Sequence, residues 1–210
     1  MQGINAMSGT ASIWIGAPWC RPVSLSMREL PDHECVALYQ RGNRDAFEEL
    51  VRRYQDRVYR FILRMVGSRE EALELTQDTL LKAFQNLRQW RPEALFRTWL
   101  FQIASNTAID SLRRRKHMEY LPIDVNDELV DPGAGPERLL QLSQRCRNLE
   151  EALAKLPHDF RQTLLLREFE DMPYSEIALA LGINEGTVKS RLARARAMLL
   201  ALCRQNEGTA

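Results

Sequence analysis

No stretch of this 210-residue chain stays apolar for long. A membrane-spanning helix needs roughly 20 such residues, so direct insertion into a bilayer is not expected. No segment alternates apolar and polar residues over the length of a strand, and an all-α fold follows. Histidine is scarce: His33, His117 and His158 stand far apart, without the spacing of a metal site or a catalytic set. Cys20, Cys35, Cys146 and Cys203 are as scattered, which excludes the short spacings of zinc and redox motifs and leaves isolated reduced thiols. No disulfide, metal, cofactor or small-molecule substrate is therefore expected. Net charge is nearly absent too, at +1. That total alone speaks against a nucleic-acid partner, but its distribution along the chain decides the matter.

Charge is almost missing from Met1 to Ser26, where Arg21 stands alone among Trp14, Pro18, Trp19 and Pro22. Without a basic start and a clean apolar core, this is not a signal peptide. We read 1–31 as a tail without a fixed fold, or as sequence upstream of a natural start at Met27. Helical patterning begins after Pro31 and runs to His117. Asp45 is expected to cap a helix whose inward stripe is Phe47, Leu50, Val51, Tyr54, Val58, Phe61, Ile62 and Met65. Gly67-Ser68 breaks it. Ser68 opens the next helix, with Glu71 as its capping-box partner and Ala72, Leu75, Thr79, Ala83, Phe84 and Leu87 inward. A loop around Trp90-Arg91-Pro92 leads to a third long helix, Phe96 to Arg115.

The composition then changes. Glu119 to Glu137 holds Glu119, Asp124, Asp127, Glu128, Asp131 and Glu137 with no Lys or Arg, and is rich in Pro and Gly. That is the make-up of a flexible acidic linker. From Arg138 the helical pattern resumes, with Leu139, Leu142, Cys146, Leu149, Leu153 and Leu156 on one stripe. The expected architecture is two small helical domains, 32–117 and 138–205, joined by the linker 118–137.

The second domain ends in a helix-turn-helix. Tyr174 to Leu181 forms a short helix, Gly182 suits the positive φ of a tight turn, and a second helix begins at Asn184 or Glu185. On that helix Val188, Leu192, Ala195 and Leu199 point inward. Between Glu185 and Arg204 there are Lys189, Arg191, Arg194, Arg196 and Arg204 against Glu185 alone. Arg suits bidentate contact to guanine, Ser190 reaches bases or phosphate, and small residues allow close approach to the major groove. Glu185 to Leu199 is the expected recognition helix.

The helix from Phe96 has an outward face of Trp99, Gln102, Asn106, Asp110 and Arg113, with Arg114, Arg115 and Lys116 extending its charge. An aromatic, an amide and cations on one stripe suit single-stranded DNA. This helix alone leaves a second reading open, in which Trp99 caps the core and the Arg run is a solvated end. The helix from Ser68 is acidic and would repel DNA; Gln77, Asp78 and Leu81 face outward, available to a protein partner.

Four stretches together resemble a bacterial sigma-70 factor of the extracytoplasmic function (ECF) group, over about Glu34 to Arg204. Phe47-Glu48-Glu49-Leu50-Val51-Arg52-Arg53-Tyr54 is similar to the start of sigma domain 2. Glu71 to Leu80 is similar to the helix that docks on the polymerase clamp, departing from many members at Thr79. Phe96 to Asn106, followed by Asp110 to Arg115, is similar to the promoter-melting helix. Gly186 to Arg196 is similar to the recognition helix of sigma domain 4. The resemblance implies that Trp99, Gln102, Asn106, Asp110, Arg113 and Arg114 meet the minus-ten element as separated strands. It implies that Thr187, Lys189, Ser190, Arg191, Arg194 and Arg196 read the minus-thirty-five duplex, and that Gln77, Asp78 and Leu81 contact core RNA polymerase. It also implies promoter DNA and an anti-sigma factor as partners, no enzyme activity, and a cytoplasmic protein that a membrane-anchored anti-sigma factor can hold. The linker would lie in the positively charged RNA path of polymerase. The competing expectations are a conventional helix-turn-helix regulator that binds duplex DNA without polymerase and, with little support, a small enzyme carrying a DNA-binding appendage.

Overall fold

The computed structural model describes residues 26–91, 94–115 and 146–207. Among them the regular structure is helical. A 3-10 turn (Met27–Glu29) precedes α1 (Asp32–Gln40), α2 (Asp45–Val66), α3 (Arg69–Asn86) and α4 (Phe96–Arg115). Then come α5, described over 146–154, α6 (His158–Glu168), α7 (Tyr174–Leu181) and α8 (Glu185–Glu207). The expected linker, 118–137, lies outside the described residues, as do residues 1–25 of the expected tail.

α2 carries the core of the N-terminal bundle. Leu50, Tyr54, Val58, Phe61, Ile62 and Met65 of its expected stripe are buried, while Phe47 and Val51 lie at the margin. Its cap differs from expectation. Asp45 is already helical, and the Asn43 side-chain oxygen accepts its N–H at 3.0 Å. The chain leaves α1 through Gly42 at φ +101°, which brings Asn43 in front of the helix's free amides. Gly67, at φ +77°, ends α2.

Ser68 caps α3 as expected, accepting the Glu71 N–H at 3.4 Å. Glu71 does not complete the box. Its carboxylate turns to α4 instead, where it accepts from the Ser111 hydroxyl and pairs with Arg115, a charge-assisted contact stronger than one to a lone amide. Thr76 and Thr79 are buried on α3 with their hydroxyls donating to the carbonyls one turn back, at 2.6 and 2.7 Å. Phe84 was expected inside but is 40% exposed; its ring leans on Phe47 and Tyr39 at 5.1 and 5.7 Å.

The packed chain also begins upstream of the expected boundary at Asp32. Leu30 is buried, and Arg53 donates to the carbonyls of Met27 and Arg28, each at 3.1 Å. Arg53 is itself held by Asp32 at 2.9 Å and Glu49 at 2.8 Å. A single apolar residue has no period, so pattern alone did not reveal this anchor. Glu49, also bonded by Arg52 at 2.6 Å, is the pivot of the cluster. The Arg52 hydrogen bonds, helped by those of Arg53, outweigh burial and lower its pKa to about 2 from 4.5. A lowered carboxylate pKa stabilises the fold above the unfolded value, and that contribution is lost as pH falls through the folded one. Glu49→Gln should therefore destabilise the protein at neutral pH, with the difference from wild type shrinking between about pH 4.5 and about pH 2. Thermal melts across that window would show it; a difference that stays constant with pH contradicts the assignment.

The C-terminal bundle buries Leu153, Leu156, Leu164, Leu165, Leu166, Ile177, Val188, Leu192 and Ala195. Arg161 is buried and donates to the carbonyls of Ala154, at the end of α5, and of Leu156 just after it, the latter at 3.0 Å, and to the Met65 carbonyl of α2 at 2.7 Å. The two bundles thus touch. α4 packs on α7 and α2 on α6, and the buried Ser105 hydroxyl donates to Gln162 at 2.6 Å.

Candidate nucleic-acid interfaces

Gly182 makes the turn between α7 and α8. It sits at φ +63°, ψ 36°, with the Ile183 N–H bonded to Ala178 O at 3.0 Å and its own N–H to Leu179 O at 3.3 Å, which is the Schellman closure. No heavy atom lies within 4 Å of a Cβ placed there, so glycine is required for its backbone conformation and not for space. Asn184 then caps α8. Its side-chain oxygen accepts the Thr187 N–H at 2.7 Å and the Thr187 hydroxyl at 3.0 Å. A Cβ on Gly186 would come within 3.2 Å of that same oxygen, so the small residue leaves room for the cap.

Val188, Leu192 and Ala195 are buried and turn the rest of α8 outward. The cations expected on this helix divide into two kinds. Arg191 pairs with Asp159 of α6 at 2.7 Å and Arg196 with Glu168 at 2.6 Å. These pairs fix α8 against α6 and draw both guanidinium groups sideways. Lys189 and Arg194 are exposed, and among the described ion pairs neither takes part. Ser190 is exposed and donates to Thr187 O at 3.0 Å. Thr187 is half-buried and committed to the cap.

On α4, Asn106, Asp110, Arg113 and Arg114 are exposed, and Trp99 and Gln102 half-buried, on one side of the helix. Trp99 lies at the edge of the core. Its ring lies 5.8 Å from Trp90 and 5.9 Å from Phe96, so one side closes the core while part of it meets solvent. Asp110 and Arg113 form a loose pair at 3.9 Å, both largely exposed. Arg115 corrects the expectation of a continuous cationic end: it turns inward to Glu71 and donates to Val66 O at 2.9 Å.

Leu100, Phe101, Ala104, Ala108 and Leu112 of α4 are buried, as the helical pattern of the sequence implies. Thr98 and Ser105 are buried too, which that pattern did not show, and both bond to residues of the C-terminal bundle. The available hint was a run of small or apolar residues along the helix. On α3, Gln77, Asp78 and Leu81 are exposed as expected, and Leu73, one turn before Gln77, is 55% exposed beside them.

Comparison with known proteins gives the arrangement its family. The profile of Sigma-70 region 2 matches residues 50–118, and that of Sigma-70, region 4 matches residues 146–199. The RNA polymerase sigma-H factor of Pseudomonas aeruginosa is 34% identical over 173 residues, 79% of this chain and 90% of that protein. The chain belongs to the ECF group of sigma-70 factors. The ECF sigma-E factor of Haemophilus influenzae is 34% identical over 81% of this chain and 94% of its own. ECF sigma factor SigE of Mycolicibacterium smegmatis is 37% identical over 156 residues, which span 60% of that protein. Among solved structures, CnrH in complex with the cytosolic domain of CnrY aligns with TM-score 0.61 and 26% identity, over 83% of this chain and 97% of CnrH. The sigma factor RpoE of Bartonella quintana, solved with the anti-sigma factor NepR, shares the fold at TM-score 0.63 and 23% identity, over 75% of this chain and 96% of RpoE. In this sigma factor α7 and α8 as far as Leu199 fall in the region 4 match, and α3 and α4 fall in the region 2 match.

Proposed function

We propose that this sigma factor directs initiation by dividing promoter recognition between α8 and α4. Lys189, Ser190 and Arg194 read base edges and phosphates of the minus-thirty-five duplex. Arg191, Arg196 and Thr187 contribute mainly by orienting α8. The observation that carries this reading is the division of charge on α8: two arginines are tied within the domain, while Lys189 and Arg194 have no partner among the described ion pairs. A cation held outward and unpaired needs no internal contact broken before it meets DNA.

On α4, Trp99 stacks on a base of the separated minus-ten strand, Gln102 and Asn106 meet base edges, and Arg113 and Arg114 hold phosphates. Asp110 restrains Arg113. Gln77, Asp78 and Leu81 form the contact with core polymerase, and Leu73 extends it. The protein carries no catalytic step of its own and works in the cytoplasm, where an anti-sigma factor restrains it; no described helix is long and apolar enough to cross a membrane.

In-vitro transcription with bacterial core polymerase and a genomic promoter library tests this. The expected result is initiation at a distinct promoter set only when the protein is added. Failure to direct initiation, together with a shift of free duplex DNA by the protein alone, would instead identify a conventional regulator.

A further inference from the structure

Among the described residues, three ion pairs that cross between the bundles share one polarity. Arg57 of α2 meets Glu170 at 2.7 Å, Arg64 of α2 meets Glu150 at 2.9 Å, and Arg97 at the start of α4 meets Glu176 at 2.8 Å. In each of the three, domain 2 supplies the cation and domain 4 the carboxylate. Glu176 also accepts the Thr98 hydroxyl at 2.8 Å, and the Arg64 guanidinium lies 4.3 Å over the Phe169 ring.

Ion pairs of this kind add little net stability once their desolvation is counted. A polar interface joined by a linker is also one whose halves move apart by default. When they do, domain 2 presents a row of guanidinium groups. Arg57 and Arg64 stand two turns apart on one face of α2, about 10 Å along the axis, a span of about three nucleotides at 3.4 Å each. Arg97 continues the row to within two residues of Trp99. All three are arginines, whose planar fork fits phosphate oxygens bidentately. The carboxylates do not saturate them: Arg97 Nε is buried without an acceptor.

We propose that Arg57, Arg64 and Arg97 form a binding row for the phosphate backbone of promoter DNA on domain 2, and that in this closed conformation Glu150, Glu170 and Glu176 of domain 4 occupy the row in place of phosphates. The free sigma factor is thereby self-masked, and separation of its domains uncovers the row beside the α4 reading face. This rests on the assignment of domain 2 as a strand-binding domain.

The test uses the full chain and a fluorescent single-stranded 20-mer of random sequence, because phosphate contacts carry no sequence information. The E150Q/E170Q/E176Q variant should bind it more tightly than wild type. Its salt dependence should steepen by about 2 in log–log slope, three phosphates at about 0.7 each, which is about twentyfold in affinity across a fourfold rise in salt. Adding R57Q/R64Q/R97Q should abolish both gains, whereas R57K/R64K/R97K should keep the slope. A control, E48Q/E70Q/E74Q, changes net charge equally at exposed positions and should not reproduce the gain. An unchanged affinity in the first variant, or an equal gain in the control, overturns the proposal. So does R57K/R64K/R97K behaving like R57Q/R64Q/R97Q, since that marks a structural role. The two assignments separate in the holoenzyme. Asn106→Ala impairing promoter opening while the row substitutions leave the salt slope unchanged defeats the row alone; both being neutral defeats the reading of domain 2.

Discussion

Arg194→Ala should lower minus-thirty-five-dependent transcription by about 5- to 150-fold, the equivalent of about 1–3 kcal/mol for one bidentate base contact. The side chain is exposed and takes part in no described ion pair, so its removal strands no partner and leaves the fold intact. Arg191 and Arg196 differ: alanine there also breaks pairs with Asp159 and Glu168, each worth about 0–1 kcal/mol at the surface, and mixes stability with recognition. Asn106→Ala is the companion measurement. It too is exposed, but on α4, so it should slow promoter opening or blur minus-ten selection while leaving closed binding to the minus-thirty-five duplex unaltered. The comparison is made on one promoter, with duplex binding of the holoenzyme and strand opening followed separately. Equal effects of both substitutions on duplex binding, with none on opening, would end the division of labour.

Phe101→Ala should cost about 3–5 kcal/mol of stability, the usual range for deleting a fully buried aromatic ring. Phe101 has no exposed surface, and its ring meets Phe61 edge-on at 5.4 Å and 89°. It joins α4 to α2, and its neighbours on the same face, Thr98 and Ser105, contact domain 4. Against a typical total of about 5–15 kcal/mol, such a loss leaves domain 2 marginal. Denaturant unfolding would measure it, with Phe84→Ala as the comparison. Phe84 is also aromatic but 40% exposed, and should cost clearly less. Similar losses for the two would mean that the Phe61–Phe101 contact is not the centre of this core.

The stripes on α2 and α8 were legible because each follows the 3.6-residue period, and a period survives without knowledge of any partner. Gly182 was legible because its conformation is penalised for every other residue type. Legibility failed where an outcome depended on competition between partners. Asp45 became the first residue of α2, its N–H bonded by the Asn43 side chain, and Glu71 left its own capping box for Ser111 and Arg115. Arg115 was thereby removed from the cationic end of α4, where sequence alone placed it beside Arg113 and Arg114.

The sequence by itself determined the helical class, the order of the reading helices and which side of α8 faces out. These depend on local periodicity and on turn chemistry, which are encoded within a few residues. Only the tertiary structure decided which cations remain free and which are tied, because Arg191 and Arg196 find their carboxylates on α6, about 30 residues away in the chain. It also decided that Thr98 and Ser105 of α4 are buried against domain 4 and that Arg57, Arg64 and Arg97 meet its carboxylates. Those contacts join parts of the chain separated by 57 or more residues. No periodicity within a helix can specify which distant surface will cover it.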